Sequence, residues 1–398
     1  VEGAGKEDAW ECAEKWNGAD NTPFAMGYRR NNVGSEAEQQ KLRDEAVKTA
    51  ADADAVLFFL AMDFGFEGEG NDRVQYELPE YQVALLKEIA AVNSNVIAVV
   101  MNGGAVAMPW ADEVKAILEC FYGGQGIGRA IVKVISGEVN PSGHMPVSVP
   151  AFREQIISDE NFAEQTEQVT YREGMFMGYR GYETKKIPVQ FPFGFGLSYT
   201  EFKIEFKGIE TSEKELAVEM KVTNIGDTYA GKEVVQIYAS LPQTEVKKEY
   251  RRLVGYAKTK LLQPGEAETL KITVGQKELA YFSEEKHQWI VEKGTYGIWT
   301  GNSSVSLEYS STVKVEQSVS LEDTCVLENT AEIEEELWKT YECRKTTADN
   351  SHCIVFTPHP EEKKIYRSAY ATEQMTEDLL PLLYGNIAET TSTLGAAG

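Results

Sequence analysis

The segment from Asp63 to Arg73 holds the densest group of side chains in this sequence that could do chemistry. It reads DFGFEGEGNDR and carries four carboxylates, three glycines and one arginine, the carboxylates being those of Asp63, Glu67, Glu69 and Asp72. Crowded carboxylates raise one another's pKa, and a carboxyl group that stays protonated near neutral pH can act as a general acid. Composition alone favours a solvated acidic turn whose shape is held by a carboxylate–arginine pair, because loops are often acidic and rich in glycine.

The elements around this segment predict its place in the fold. An apolar strand is predicted over 55–61, directly before it, and ligands usually bind in the loop that leaves the C-terminal end of a parallel strand. Strands that are apolar throughout and alternate with helices indicate a parallel sheet covered on both faces, with 55–61 and 96–101 as its central, fully buried strands. The other predicted elements are helices over 35–53 (Ser35 as N-cap, Glu38 completing a capping box), 79–92 and 126–136, a short strand and turn over 114–122, and a strand over 144–149.

Residues 151–198 have little regular pattern and many aromatic side chains, so we expect them to pack over the sheet or under a neighbouring domain. The run Phe193-Gly194-Phe195-Gly196 lacks the lysine of a phosphate-binding loop, and no helix is predicted after it. It indicates close backbone packing between domains.

From residue 199 the pattern changes to short alternating strands with a turn signal every ten or so residues. This pattern predicts a β-sandwich of immunoglobulin or fibronectin architecture. Trp289 and Trp299 are expected in its core, although tryptophan faces also stack on sugars. The predicted strands cover 202–206, 216–223, 233–239, 252–260, 269–274, 288–291, 294–300 and 305–313.

The charge balance excludes some classes of partner. A net charge of −24 argues against nucleic acid and anionic membrane surfaces, which attract lysine and arginine, and suits a neutral partner such as a sugar. No stretch reaches the roughly 18 apolar residues that a membrane helix needs. The 398 residues have room for two or three domains.

The numbers and spacing of the cysteines and histidines indicate the redox compartment and whether a metal site is expected. The five cysteines are an odd number without CxxC spacing, which fits free thiols in a reducing compartment such as the bacterial cytoplasm. A removed upstream signal stays open, because the sequence starts at Val1 rather than at a methionine. The four histidines are too scattered for a metal site, and the acidic segment lacks the spacing of a calcium loop, so no metal and no cofactor is expected.

Six motifs, in order along residues 20–316, resemble the accessory half of glycoside hydrolase family 3. They are GEGNDR, LPEYQVALLKEI, NVIAVVMNGGAVAMPW, CFYGGQGIGRAIVKVISGEVNPSGHMPVSVP, FMGYRGYE and FPFGFGLSYTEF. The resemblance implies an α/β sandwich followed by a fibronectin type III-like domain.

The resemblance also implies roles for the acidic segment. It places the general acid/base of a retaining β-glycosidase, most readily a β-glucosidase, on Glu69. The catalytic nucleophile would be an aspartate of a separate (β/α)8 barrel, which this sequence does not contain. Glu67 and Asp72 could help to keep Glu69 protonated, whereas Arg73 would favour its charged form. Asp72 and Arg73 are interpreted as loop scaffolding rather than as catalysts.

The order of the motifs suggests a domain arrangement. The expected domains are an α/β sandwich over 1–198, a fibronectin type III-like sandwich over 199–316, and a linker with the opening helix of a barrel, near 372–383, over 317–398. Since most family members carry the barrel first, this order resembles the circularly permuted members, and the chain is interpreted as a piece of a longer enzyme.

Two other functions fit the same sequence. One is a non-catalytic structural or carbohydrate-binding module, since the nucleophile is missing here. The other is a β-xylosidase of the same family, because nothing in this half visibly reads the hydroxymethyl group that separates glucose from xylose. The expected partners are a β-glucoside or oligosaccharide and the barrel domain of the same enzyme, and assembly into a homo-oligomer is left open.

Overall fold

The computed structural model describes residues 8–63, 65–68, 73, 75–158, 172–212, 214–286, 288–321, 341–345 and 354–358. The described chain falls into two compact units. The larger unit contains the α/β region and the β-sandwich. In the smaller unit, the strands Tyr341–Lys345 and Ile354–Pro358 form an antiparallel hairpin, where the sequence had indicated a polar linker. The predicted barrel helix near 372–383 lies outside the described residues.

The α/β region is built on a three-stranded parallel sheet of order β1-β2-β3. The strands are β1 (Val56–Ala61), β2 (Val96–Met101) and β3 (Ala116–Glu119), and the helices are α1 (Ala9–Asn17), α2 (Glu36–Ala51), α3 (Glu80–Val92), α4 (Ile127–Ile135) and α5 (Gly178–Lys185). The parallel sheet, its strand β2 and the helices predicted over 35–53, 79–92 and 126–136 are confirmed, whereas α1 was not predicted. Helix α2 begins with the predicted capping box of Ser35 and Glu38.

The prediction that both early strands are central is wrong for β1. Strand β2 is central and almost fully buried, whereas β1 lies at an edge of the described sheet and is half-buried. On this edge of the described sheet, side chains bond to the backbone of β1. The Tyr28 hydroxyl donates to Phe59 O, and the Gln82 amide both accepts from Ala61 N at 3.0 Å and donates to Ala61 O at 2.9 Å. Backbone groups that would otherwise be unpaired are thereby satisfied.

Two local features of the α/β region differ from the pattern indicated by the sequence. Residues 144–149 make no strand but only one bridge, between Val149 and Phe191, because Pro146 and Pro150 lack the N–H donors that a ladder needs. In the aromatic stretch expected to be irregular, helix α5 begins after Met177 and ends at a left-handed Lys186. Its short length and its four tyrosine or glycine residues hid the helical period.

The sandwich is confirmed: two antiparallel sheets enclose one core, and a small third sheet has the order β13-β10-β9. The four-stranded sheet has the order β12-β11-β6-β7 and the three-stranded sheet β4-β5-β8. Buried side chains such as Val218, Val235, Ile237 and Ile298 fill the space between them. The strands are β4 (Phe202–Thr211), β5 (Glu215–Asn224), β6 (Val234–Ser240), β7 (Arg252–Lys258), β8 (Ala267–Gly275), β9 (Tyr281–Ser283), β10 (Gln288–Val291), β11 (Gly294–Gly301), β12 (Leu307–Val315) and β13 (Val319–Ser320), with a helical turn α6 (Gln276–Leu279).

The α/β region packs directly against the sandwich. Gly194 has a positive φ of 83°, and a Cβ there would lie 2.4 Å from Nε2 of Gln236 on β6, so the predicted close packing at this glycine is confirmed. The Tyr179 hydroxyl of α5 donates to Leu253 N at 2.7 Å. Arg251 pairs with Glu183 of α5 at 2.9 Å.

The two tryptophans of the sandwich differ in their surroundings. Trp289 packs against the sandwich core, as predicted. Trp299 does not belong to that core: it is half-buried under the guanidinium of Arg251, 5.2 Å from the ring centroid, and donates to Ser240. It therefore sits on the outer face of the sheet, because alternate residues of β11 point to opposite faces.

Candidate functional site

The acidic segment leaves the C-terminal end of β1, as the sequence indicated. The structure describes Asp63, residues 65–68 and Arg73 of this segment. Glu69, the predicted acid/base, and Asp72 lie outside the described residues. The site is therefore defined by Glu67 and Arg73, which flank the stretch that carries Glu69.

An ion pair closes this stretch. Nη1 of Arg73 lies 2.9 Å from Oε1 of Glu67, and the side chains are only 23% and 13% exposed. The other terminal nitrogen of Arg73 donates to Ala105 O, and the guanidinium lies 5.9 Å from the ring centroid of Tyr76. Charge-assisted hydrogen bonds in a water-poor setting are among the stronger ones in proteins. The pair thus fixes the two ends of the five-residue span 68–72.

The second oxygen of Glu67 anchors the segment to the neighbouring strands. Oε2 accepts from Gly103 N at 2.7 Å and from the Tyr122 hydroxyl. A Cβ at Gly103 would lie 3.1 Å from the Tyr122 ring and 3.2 Å from Oε2, so this contact favours glycine. Asn102, which is 1% exposed at the end of β2, holds that turn by donating to Gly104 O at 2.6 Å.

The start of the segment is held separately. Asp63 is 6% exposed, and its Oδ1 accepts from Asn31 N at 2.8 Å and from the Tyr81 hydroxyl at 2.5 Å. Arg30 donates to Met62 O at 3.1 Å. Asp63 is therefore a buried anchor of the strand end rather than an accessible carboxylate.

A third carboxylate, that of Glu119, lies at the end of β3 and was not singled out in the sequence. Burial raises the pKa of Glu119 to about 7; the hydrogen bond from Phe121 N lowers it, and the charge of Glu67 raises it. Burial, the hydrogen bond to Glu67 and the charge of Glu67 raise the pKa of Tyr122 to about 12, so this hydroxyl stays a donor at physiological pH. Burial and the charge of Glu119 likewise raise the pKa of the neighbouring Cys120 thiol to about 12, which disfavours its thiolate form.

These contacts bring together groups that the sequence had left apart. Gly103 and Tyr122 belong to motifs that were recognised, but their contact with Glu67 could not be seen in the sequence. The available signal was topological, since the ends of parallel strands meet at one edge of the sheet. With its two oxygens engaged by three donors, Glu67 anchors the acidic segment to the loops after β2 and β3.

Within the described ranges, no three histidine, cysteine or carboxylate side chains come together in a way that could hold a metal ion. In the same ranges, no helix is long and apolar enough to cross a membrane. The two cysteines whose side chains the structure describes, Cys12 and Cys120, are free thiols.

Comparison with protein families assigns both regions. Residues 12–199 match the Glycosyl hydrolase family 3 C-terminal domain, and residues 233–304 match the Fibronectin type III-like domain. The matches agree with the parallel α/β region and the antiparallel sandwich seen in the structure.

Several curated proteins are similar to this chain. Thermostable beta-glucosidase B of Acetivibrio thermocellus is 37% identical over 322 residues, which are 79% of this chain and 42% of that protein. Exo-alpha-(1->6)-L-arabinopyranosidase of Bifidobacterium breve is 38% identical over 295 residues, 74% of this chain and 38% of that protein. The chain thus spans about two fifths of the length of these relatives.

Solved structures show the same likeness. The crystal structure of Bifidobacterium adolescentis GH3 beta-glucosidase superposes with a TM-score of 0.73 at 34% identity, covering 81% of this chain and 48% of that one. Beta-glucosidase from Kluyveromyces marxianus in complex with glucose gives 0.70 at 32% identity, covering 73% and 35%. With a C-terminal domain and a fibronectin type III-like domain in sequence, this chain belongs to glycoside hydrolase family 3.

Proposed function

We propose that this chain is the part of a retaining β-glucosidase that supplies the general acid/base, Glu69, while an aspartate on a barrel domain supplies the nucleophile. The similarity to β-glucosidases over more than two thirds of this chain supports the reaction class. The observation that carries the role of the segment is the closure of span 68–72 by Glu67 and Arg73, at the sheet edge where ligands bind.

The proposed reaction has two steps. In the first, the nucleophile attacks the anomeric carbon and the C–O bond to the leaving group breaks, while Glu69 gives its proton to the departing oxygen. In the second, Glu69, now a carboxylate, removes a proton from water, which attacks the glycosyl–enzyme and releases the sugar. Glu69 must therefore be held in one place while its charge changes.

The contacts of Glu67 and Arg73 meet that requirement. Their charges cancel within the pair, and each partner is also tied to the loop after β2, through Gly103 and Ala105. Glu69, which lies between them, can then change charge while the acidic segment stays attached to the loop after β2. In this proposal Glu67 anchors the segment, whereas the sequence had suggested that it helps to keep Glu69 protonated.

The proposed substrate is a β-glucoside. A second candidate, a pentopyranoside, is favoured by one observation: an exo-arabinopyranosidase is as similar to this chain as the β-glucosidases are. The family alternative of a β-xylosidase belongs to the same class, since xylose also lacks the hydroxymethyl group. Rates on matched 4-nitrophenyl β-D-glucoside, β-D-xyloside and α-L-arabinopyranoside would separate these candidates.

Replacement of Glu69 in the full-length enzyme tests the proposal. We expect Glu69→Gln to lower the hydrolysis of alkyl β-glucosides by roughly 10²–10⁴-fold. The loss should shrink for aryl glucosides with a good leaving group, because their departure needs little protonation. Azide should partly restore turnover by Glu69→Ala and give the β-glucosyl azide, since this anion attacks the glycosyl–enzyme without a base.

A matched control separates this effect from a general loss of charge. Glu80 is an exposed glutamate at the start of α3, and Glu80→Gln should leave both substrate classes unaffected. If Glu67→Ala shows the leaving-group dependence and the azide rescue while Glu69→Ala does not, the acid/base is Glu67 and the assignment is off by two residues.

A further inference from the structure

We propose that Glu119 is a positioning residue for this reaction: by accepting the hydrogen of Phe121 N, it fixes the turn that keeps the Tyr122 hydroxyl on Glu67. The inference rests on the proposed function, because the segment that Glu67 anchors is the one that carries Glu69. Neither the family matches nor the sequence motifs assign a role to Glu119.

The turn after β3 is the first step of the argument. Cys120 N still donates to Val100 O at 2.9 Å, as in a parallel ladder. The next residue, Phe121, has a φ of 47°, in the left-handed region that a bulky residue seldom adopts. Such a conformation costs about 1–3 kcal/mol and persists only where surrounding contacts hold it.

Glu119 supplies a contact of that kind. Its Oε1 accepts from Phe121 N at 3.1 Å, two residues along the chain, so the last side chain of β3 caps its own turn. Burial of the carboxylate strengthens this local hydrogen bond relative to one in water. The capped turn reverses the chain at Phe121.

The reversal directs Tyr122 towards the acidic segment. Its ring is 58% exposed, yet its hydroxyl donates to Oε2 of Glu67, 55 residues away in sequence. The ring also lies against Gly103, which donates to the same oxygen. The backbone at Phe121 determines which rotamers of Tyr122 can reach Glu67, and the hydrogen bond to Oε2 selects among them.

Glu119, Phe121, Tyr122 and Glu67 therefore form a chain of contacts from the edge strand to the ion pair with Arg73. Loss of the first contact should release the turn, withdraw Tyr122 and leave Glu67 with fewer donors. Misplacement of a catalytic group by about 1 Å can cost up to about 10²-fold in rate. We expect a smaller effect here, since Gly103 and Arg73 still hold Glu67.

Kinetics of the full-length enzyme test this chain of contacts. Glu119→Ala should lower kcat on an alkyl β-glucoside by roughly 10-fold, with little change in KM and a smaller loss on an activated aryl glucoside. Glu119→Gln keeps an acceptor oxygen for Phe121 N and should stay within about 3-fold of the parent enzyme. Equal losses in the alanine and glutamine variants would overturn the proposal.

Two double variants make the test specific. In a Tyr122→Phe background, which already lacks the hydroxyl, Glu119→Ala should add no further loss. Phe121→Gly should restore activity to Glu119→Ala, because glycine adopts a φ of 47° without a cap. Additive losses in the first pair, or the absence of rescue in the second, would show that Glu119 acts by another route.

A spectroscopic readout keeps the inference separate from the proposed function. In enzyme labelled with ¹³C at the tyrosine phenolic carbon, and assigned by comparison with Tyr122→Phe, the pKa of Tyr122 should fall from about 12 towards its ordinary value of 10.0 in Glu119→Ala. This measurement needs no turnover. If the pKa of Tyr122 falls while Glu69→Gln has no kinetic effect, the proposed function is wrong and the positioning chain stands. An unchanged pKa of Tyr122 would overturn the positioning chain whatever the kinetics show.

Discussion

Two carboxylate–arginine pairs in this molecule have the same local design and different surroundings. In each, an arginine binds a nearby glutamate and uses its remaining terminal nitrogen on a backbone carbonyl: Arg73 on Ala105 O beside Glu67, and Arg252 on Ala280 O beside Glu249. The Glu249 side chain is fully buried in the sandwich, whereas that of Glu67 is 13% exposed at the edge of the parallel sheet.

The difference lies in what else each carboxylate contacts. Each oxygen of Glu249 accepts a hydrogen bond from a different nitrogen of the Arg252 guanidinium, inside the β-sandwich. Glu67 shares its oxygens among Arg73, Gly103 and Tyr122, which come from three separate loops. In a pair of the first kind, loss of one partner leaves the other charge buried and unpaired, while a pair of the second kind ties the two ends of one loop to its neighbours.

The largest effect is expected from breaking the pair in the sandwich. Glu249→Ala leaves the Arg252 charge buried without its partner, which should cost about 3–5 kcal/mol in the free energy of unfolding. Urea denaturation of the purified variant measures this loss. The exposed pair of Glu210 and Lys271 provides the control, since Glu210→Gln should leave the denaturation midpoint unchanged. If Glu249→Ala is as stable as the parent, the pair in the sandwich does not contribute more to stability than the pair in the loop.

Breaking the pair in the loop should change activity more than stability. Arg73→Met removes both the ion pair and the bond to Ala105 O, and should lower kcat by roughly 10–100-fold because the span carrying Glu69 loses one of its fixed ends. Steady-state kinetics on alkyl and aryl glucosides, with the denaturation midpoint measured alongside, check this. The kcat of Arg73→Lys should lie between those of Arg73→Met and the parent enzyme, because one ammonium group cannot replace the planar guanidinium. A large stability loss with unchanged kcat would make this pair equivalent to the one in the sandwich.

The smallest effect concerns the pH dependence of stability at Glu119. Since burial raises its folded-state pKa from 4.5 to about 7, the stability that this group contributes is present below pH 4.5 and is lost as the pH rises through 7. Glu119→Gln cannot ionise, so relative to the parent it should gain about 1–2 kcal/mol at pH 8 and nothing near pH 4. Thermal unfolding across that range measures the difference. A constant offset at all pH values would mean that Glu119 is already ionised in the folded protein near pH 5.

Local signals in the sequence determined much of the fold. The box of Ser35 and Glu38 set the start of α2, because both groups satisfy orphan amides within a single turn. The unbroken apolar run of β2 indicated a strand buried on both faces, and the period-2 pattern after residue 199 indicated the sandwich. The acidic segment was placed at the right end of β1 by its position in the chain. Each of these inferences needed only residues that are neighbours in sequence or share one element.

The tertiary structure decided whatever depended on neighbours distant in sequence. That β1 lies at a sheet edge, with Tyr28 and Gln82 capping its backbone, could not be read from a strand as apolar as β2. The position of Trp299 outside the core likewise depended on which face of β11 meets Arg251. Glu119 passed unnoticed because a carboxylate at the end of a short strand has no distinguishing pattern. Its raised pKa and its link to Tyr122 arise from burial and from one left-handed residue, and burial is a property of the assembled fold.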